Sequence, residues 1–273
     1  MIPLIKDYPF AIRPMIAAHR GDTTLDAPEN SLEAIAAALI SGADMIEVDV
    51  QWTADEVFVC HHDEAIQLKN GHHMVIHRHP FEDLQKAKIH AGHPHGLTQL
   101  TDVLERTKRK IYLNLEIKEY SDRPPRRFMD ALEQLLVEAK MEERVLFSSF
   151  RIEFIHEASW HVPSVIIQPT NEMYMYFSAR TPEPIALPKP VEELLPSELL
   201  KISHATSYAC QLHELTDQRI ADIQKHHLFL SIYTIKDEEA FEQALALGAQ
   251  ALVCEDPKRF AAIRNERYPV YAI

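Results

Sequence analysis

Within the apolar segment Met45–Val50 two acids, Glu47 and Asp49, are separated by one residue. Ile46, Val48 and Val50 favour an extended chain there, and alternate side chains of a strand point to opposite faces. Both carboxylates then fall on one face and the apolar side chains on the other. An ordinary core strand does not carry such a pair. Desolvation penalises each charge, and the like charge beside it raises the penalty. A divalent cation removes both difficulties. Glu116 lies in the similar segment Ile111–Lys118, and another apolar segment ends at His19-Arg20-Gly21. The chain is thereby constrained to a fold that gathers strand ends around a hydrolytic metal site.

Strand and helix patterns alternate along the rest of the 273 residues. Strands are expected at Met15–Ala18, Met45–Val50, Val57–Cys60, Ile111–Glu116, Val145–Ser148, Ser164–Gln168, Lys201–Ser203, Phe229–Tyr233 and Ala251–Cys254. The first helix is expected to start at Asn30 as N-cap with Glu33 three residues on, to bury Leu32, Ile35, Ala36, Leu39 and Ile40, and to stop at Gly42. Further helices are expected at Gln99–Thr107, Arg126–Ala139, Ile152–Ser159, Asp217–His226, Glu238–Leu247 and Pro257–Asn265. About eight βα units suggest an α/β fold, a (β/α)₈ TIM barrel; a doubly wound sheet gives similar local patterns. Carboxylates at strand ends favour the barrel, whose chemistry gathers on the C-terminal rim. A single domain over residues 1–273 accommodates this count.

Two excursions interrupt the units. Lys69–Gly96 carries seven histidines (His72, His73, His77, His79, His90, His93 and His95) among short polar turns, in no specific zinc spacing. Thr170–Glu198 is Pro-rich (Pro182, Pro184, Pro188, Pro190, Pro196), which argues against a continuous helix or central strand. Its Tyr174-Met175-Tyr176-Phe177 run suits either a pocket cover or a loop pinned by its aromatics.

A formal charge of −13 disfavours nonspecific nucleic-acid binding while leaving room for a local positive pocket. No apolar run approaches transmembrane length, and no secretory leader pattern opens the chain. A cytoplasmic protein without stable membrane insertion is the expectation. Cys60, Cys210 and Cys254 are widely spaced, as buried free thiols rather than a disulfide framework or a zinc cluster.

These segments together resemble the glycerophosphodiester phosphodiesterase family over nearly the whole chain. The resemblance rests on His19-Arg20-Gly21, on Pro28-Glu29-Asn30-Ser31, on Gly42 through Val50, on His62-Asp63 and on Asn114-Leu115-Glu116-Ile117-Lys118, with weaker echoes at Ser148-Ser149-Phe150 and Gly248–Pro257. In this order they are specific; His-Arg-Gly alone is not. The resemblance implies a (β/α)₈ barrel, metal ligands Glu47, Asp49 and Glu116, and catalytic histidines His19 and His62. It implies that Arg20 holds the substrate phosphate, that Lys118 adds positive charge near it, and that Glu29 and Asn30 belong to the same loop. Tyr233 stands where the family often has tryptophan, as a possible pocket wall.

The residue chemistry agrees. Three carboxylates suit one oxygen-preferring cation, Mg²⁺ or Ca²⁺. Arginine presents a fork of donors to phosphate oxygens, and two imidazoles can share proton removal and delivery, with His19 as base and His62 as acid. The implied reaction converts a small glycerophosphodiester, such as glycerophosphocholine or glycerophosphoethanolamine, to glycerol 3-phosphate and an alcohol. Attack by water and attack by a substrate hydroxyl both fit. Lysophospholipid hydrolysis on the same barrel, or phosphate-ligand binding without turnover, are the competing readings. Departures from the family pattern bear on substrate. Asp22 adds negative charge after His-Arg-Gly, Glu56 replaces a turn glycine and so suggests a different turn geometry, and Cys254-Glu255-Asp256-Pro257 alters the end of the last strand.

Overall fold

The computed structural model describes residues 13–269 apart from residues 91, 93, 94, 109 and 159–161. Eight parallel strands close into a barrel: β1 Met15–Ala18, β2 Met45–Trp52, β3 Tyr112–Ile117, β4 Val145–Ser149, β5 Ser164–Ile167, β6 Ser207–Cys210, β7 Leu230–Ile235 and β8 Ala251–Cys254. β1 pairs with both β2 and β8, which removes the sheet edges. Helices lie between the strands, as the alternating pattern implies.

Two apolar layers follow from strand parity. Ile46, Val48, Val50 and Trp52 face outward into a shell shared with helix residues such as Phe128, Leu132 and Phe260. Met15, Ala17, Met45, Leu146, Val165, Ile167 and Val253 form a separate cluster that fills the barrel interior. Residues of the inward parity nearer the C-terminal ends are polar: Glu47, Asp49 and Gln51 on β2, Asn114 and Glu116 on β3. The barrel is thus oily below and charged above.

The strand expected at Lys201–Ser203 is instead the end of a helix, Pro196–Ser203, with the proline in its first turn, and the strand follows at Ser207–Cys210. Proline at the start of a helix is favourable because its missing N–H would have no partner there. The first helix is capped by Ser31, whose side chain accepts from Ala34 N, and runs Leu32–Ala38. Asn30 is not the cap. Ala34, Ile35 and Ala38 are its buried residues, whereas Leu32 and Ile40 are exposed, at 36% and 85%.

The histidine-rich excursion holds a small hairpin (Ala65–Gln67 with His73–Val75) and a ten-residue helix, Phe81–His90. It departs from β2 through the antiparallel strand Phe58–Cys60 and returns through Thr98–Gln99. Its histidines are dispersed: His79 and His90 face backbone carbonyls and His95 pairs with Glu33. His93 and Ser159, the expected end of the helix beginning at Ile152, lie outside the described residues. Trp52, Phe58 and Phe128 pack ring against ring, with centroids 5.2–5.6 Å apart, where the excursion leaves the barrel. In the Pro-rich excursion Tyr174–Phe177 is part of a helix, Asn171–Ser178, capped by Thr170. The prolines begin only after it. Glu56 takes the left-handed conformation (φ 67°) open to glycine, so the turn keeps a glycine-like geometry. Cys60, Cys210 and Cys254 are buried free thiols, and no described helix is long and apolar enough to cross a membrane.

Gly21 sets the approach of the first loop to the first helix. It has φ 90°, and a Cβ added there would lie 2.7 Å from Ala34 Cβ and 2.8 Å from its carbonyl carbon. Gly21→Ala should destabilise the fold by about 1–3 kcal/mol, through overpacking and a disfavoured φ. Urea unfolding checks this, and an unchanged midpoint would show that the loop yields freely.

Candidate active site

The loop after β1 is fastened to its neighbours residue by residue. His19 N donates to Cys254 O at 3.0 Å, holding the residue past β1 against β8. Arg20, with φ 56°, turns its N–H to Glu47 Oε2 at 2.8 Å. Asn30, with φ 58°, grips Asp49 twice. Its Nδ2 donates to Oδ2 at 2.7 Å, and its Oδ1 accepts from the Asp49 backbone N at 3.0 Å. The role expected for Asn30 at the helix cap is therefore taken by Ser31, freeing Asn30 for this longer-range contact. Asp22 is buried, and its Oδ1 accepts from Thr24 N and Oγ1. Its charge serves the loop and does not line the cleft described below.

β2 and β3 pair with Asp49 opposite Glu116 and Glu47 opposite Asn114. Register thus brings together acids 67 positions apart in sequence, and ligand oxygens of Glu47, Asp49 and Glu116 all lie within 4.8 Å of one another. Glu47 and Asp49 are 2% and 0% exposed, and neither Glu47 Oε1 nor Asp49 Oδ1 has a hydrogen-bond partner. Burial, with Asp49 and Glu116 adding to it, pushes the Glu47 carboxyl well above the usual range; burial also raises Glu116 against the pull of Lys118. Two buried carboxylate oxygens without donors, beside a third acid, fit a cation that prefers oxygen ligands.

Two cationic side chains stand over the acids. Arg20 Nε lies 3.1 Å from Asp49 Oδ2, and its Nη1 lies 2.7 Å from Glu29 Oε2. Lys118 Nζ is 2.6 Å from Glu116 Oε1 and 3.8 Å from Asp49 Oδ1. Burial alone would depress the Lys118 ammonium, yet these carboxylates hold it above the ordinary lysine range. With Glu29 counted, four carboxylates against two cations leave a net negative nest that a divalent ion would neutralise, leaving Arg20 and Lys118 to receive a phosphodiester.

The two histidines approach from different directions. Burial, reinforced by the Arg20 charge, depresses His19 to about 4, so its ring is neutral at pH 7. His62 sits at the rim, its side chain 32% exposed, with Nδ1 2.8 Å from Asp63 Oδ1. That hydrogen bond holds the Asp63 carboxyl below its usual range. His61 faces a separate pocket shared with Asp63, Lys69 and Lys88, and burial depresses it to about 4.

A cleft of about 610 Å³ opens above the acids. The ends of β1 and β3 supply His19, Arg20, Glu116 and Lys118 to its wall, the turn after the antiparallel strand Phe58–Cys60 supplies His62, and the later strands supply Phe150, Gln211, His213, Tyr233, Lys236 and Glu255. Tyr233 meets Phe150 edge to face at 6.0 Å. Glu29 and Asn30 stand behind the wall, through Arg20 and Asp49. Tyr174–Phe177 does not line the cleft: Phe177 packs on Tyr120 at 5.8 Å and Tyr176 Oη donates to Glu64 Oε2 at 3.3 Å. Parity on β3 would have pointed to Asn114, whose Oδ1 accepts from Ser148 Oγ at 2.7 Å. Gln211 and His213 lie past a strand that the sequence did not disclose.

Residues 19–259 match the sequence model of the glycerophosphoryl diester phosphodiesterase family, beginning at His19 itself. The chain belongs to that family. A glycerophosphodiester phosphodiesterase of Caldanaerobacter subterraneus is 25% identical over 263 residues, covering 90% of this chain and 96% of the relative. The fold matches the crystal structure of a glycerophosphodiester phosphodiesterase from Parabacteroides distasonis (TM-score 0.74, 21% identity, 93% and 97% of the two chains). It also matches an Oleispira antarctica phosphodiesterase in complex with sn-glycerol-3-phosphate (TM-score 0.71, 20% identity, 93% and 97%). The barrel is therefore that of this phosphodiesterase family.

If a cation relieves the buried acids, Mg²⁺ or Ca²⁺ should raise the melting temperature, by an amount equivalent to about 2.7 kcal/mol at one hundred times Kd. Glu47→Gln removes a buried charge and a ligand together. It should melt in EDTA no lower than the unsubstituted protein and show little metal-induced shift. An undiminished shift in E47Q would remove Glu47 from the ligand set.

Proposed function

We propose that this protein hydrolyses small, water-soluble glycerophosphodiesters to glycerol 3-phosphate and an alcohol, using one Mg²⁺ or Ca²⁺ held by Glu47, Asp49 and Glu116. The observation that carries this reading is the convergence of His19, Arg20, His62 and Lys118 on a single cleft directly above three clustered acids. When bound, the cation would polarise the phosphodiester and balance charge that accumulates on its oxygens.

The protein's own groups divide the remaining work. Arg20, braced by Glu29 and Asp49, and Lys118, braced by Glu116, bind the phosphate oxygens and fix their orientation. His19, neutral at pH 7, takes the proton from the oxygen that attacks phosphorus. His62 gives a proton to the departing alcohol. Asp63 on Nδ1 leaves Nε2 for the transfer and balances the charge while the ring carries the proton. Gln211, His213, Lys236 and Glu255 give the opposite wall a polar character that suits a hydrophilic alcohol over an acyl chain. Tyr233 and Phe150 form its aromatic part.

The decisive assay is glycerol 3-phosphate release from glycerophosphocholine and glycerophosphoethanolamine, with EDTA or with added Mg²⁺ or Ca²⁺. Turnover should require metal, and His19→Ala and His62→Ala should each lower kcat by about 10²–10⁴-fold. Absence of product with every metal, or full activity in H19A, would sink the reading. Faster turnover of lysophospholipids than of either soluble diester would reassign the substrate while keeping the site.

A further inference from the structure

His62 is weakly held by its own side-chain contacts. Its partner Asp63 has a side chain 75% exposed, and the pair itself stands at the rim. Exposed ion pairs of this kind fix little by themselves. A group that must reach within about 3 Å of the atom it serves needs a firmer mount.

The mount lies in the backbone. Gln51 follows Glu47 and Asp49 at the next inward position of β2 and is 2% exposed. Its Nε2 donates to the carbonyl oxygens of His61 at 2.6 Å and Asp63 at 2.7 Å, and lies 3.4 Å from that of His62. An amide has two protons, and the two short contacts use both. Three successive carbonyls are thus drawn toward one buried amide. Tyr120 Oη donates to the His62 carbonyl at 3.2 Å, and His61 N donates to Asp49 O at 3.0 Å. With this arrangement the His62 ring faces the cleft above the acids while the His61 ring faces the separate pocket.

We propose that Gln51 is a positioning residue for His62: its side-chain amide fastens the His61–Asp63 turn to the strand that carries Glu47 and Asp49, so that one rigid element sets the distance between the acids and the histidine. The proposal rests on the hydrolase reading above. It assigns Gln51 no contact with substrate and no role as a metal ligand.

Gln51→Met keeps the volume and removes the donors. It should lower kcat for glycerophosphocholine by about tenfold to a hundredfold, the scale of a displacement near 1 Å, with KM and the metal-induced melting shift within about threefold and a few degrees of the unsubstituted protein. Tyr120→Phe, which loosens the turn from the other side and is less exposed to folding failure, should lower kcat in the same manner and more weakly. The double-mutant cycle with His62→Ala separates positioning from general damage. Once the ring is gone there is nothing to position, so Q51M/H62A and Y120F/H62A should be no slower than H62A. Losses that multiply, or single variants with unchanged kcat, overturn the proposal and leave the hydrolase reading standing. An unsubstituted protein with no activity on any diester overturns that reading, and the proposal with it.

Discussion

The structure is organised around the cost of burying Glu47 and Asp49 on the inner face of β2. Neither could persist in an apolar interior without compensation, and each surrounding contact supplies part of it. The Arg20 backbone N–H goes to one acid, the Asn30 amide and Arg20 guanidinium go to the other, and Lys118 reaches over from β3. Even so, two oxygens retain no donor. Left-handed backbones at non-glycine residues persist only where surrounding contacts over-determine them, and at Arg20 and Asn30 the bonds to these acids do so. The loop geometry and the unmet charge are one problem with one solution.

Much of this was legible in the chain because β-strand parity is strict. Two acids with one residue between them on a strand must share a face, and that inference needed no tertiary information. Assembling the acid cluster then required only that Asp49 meet Glu116 across a parallel register. Where sequence reading went astray, a distant partner decided between locally equal options. Asn30 and Ser31 are both good helix caps, and only the position of Asp49 makes Asn30 the long-range partner and Ser31 the cap. Helix Pro196–Ser203 has a favourable proline start, but its apolar run resembles a strand when read alone. The true strand, Ser207–Cys210, is short and mixed in composition, so its identity comes from pairing with β5 and β7.

The site was legible to a different degree. Motif residues on β1–β3 and after the strand Phe58–Cys60 were all visible, and the structure brings His19, Arg20, His62 and Lys118 around one cleft. Gln211, His213 and Lys236 were not, because they lie in turns whose side chains carry no period. Glu56 is instructive in the other direction. A side chain in place of glycine suggested altered geometry, yet the backbone keeps the glycine-like conformation.

The apolar cluster that fills the barrel beneath the acids makes the cleft blind. Met15, Met45, Leu146 and Ile167 close its floor, so ligands have a single doorway at the rim. Anything that reaches toward Glu47 and Asp49 must cross that rim, and whatever is released there must cross it again.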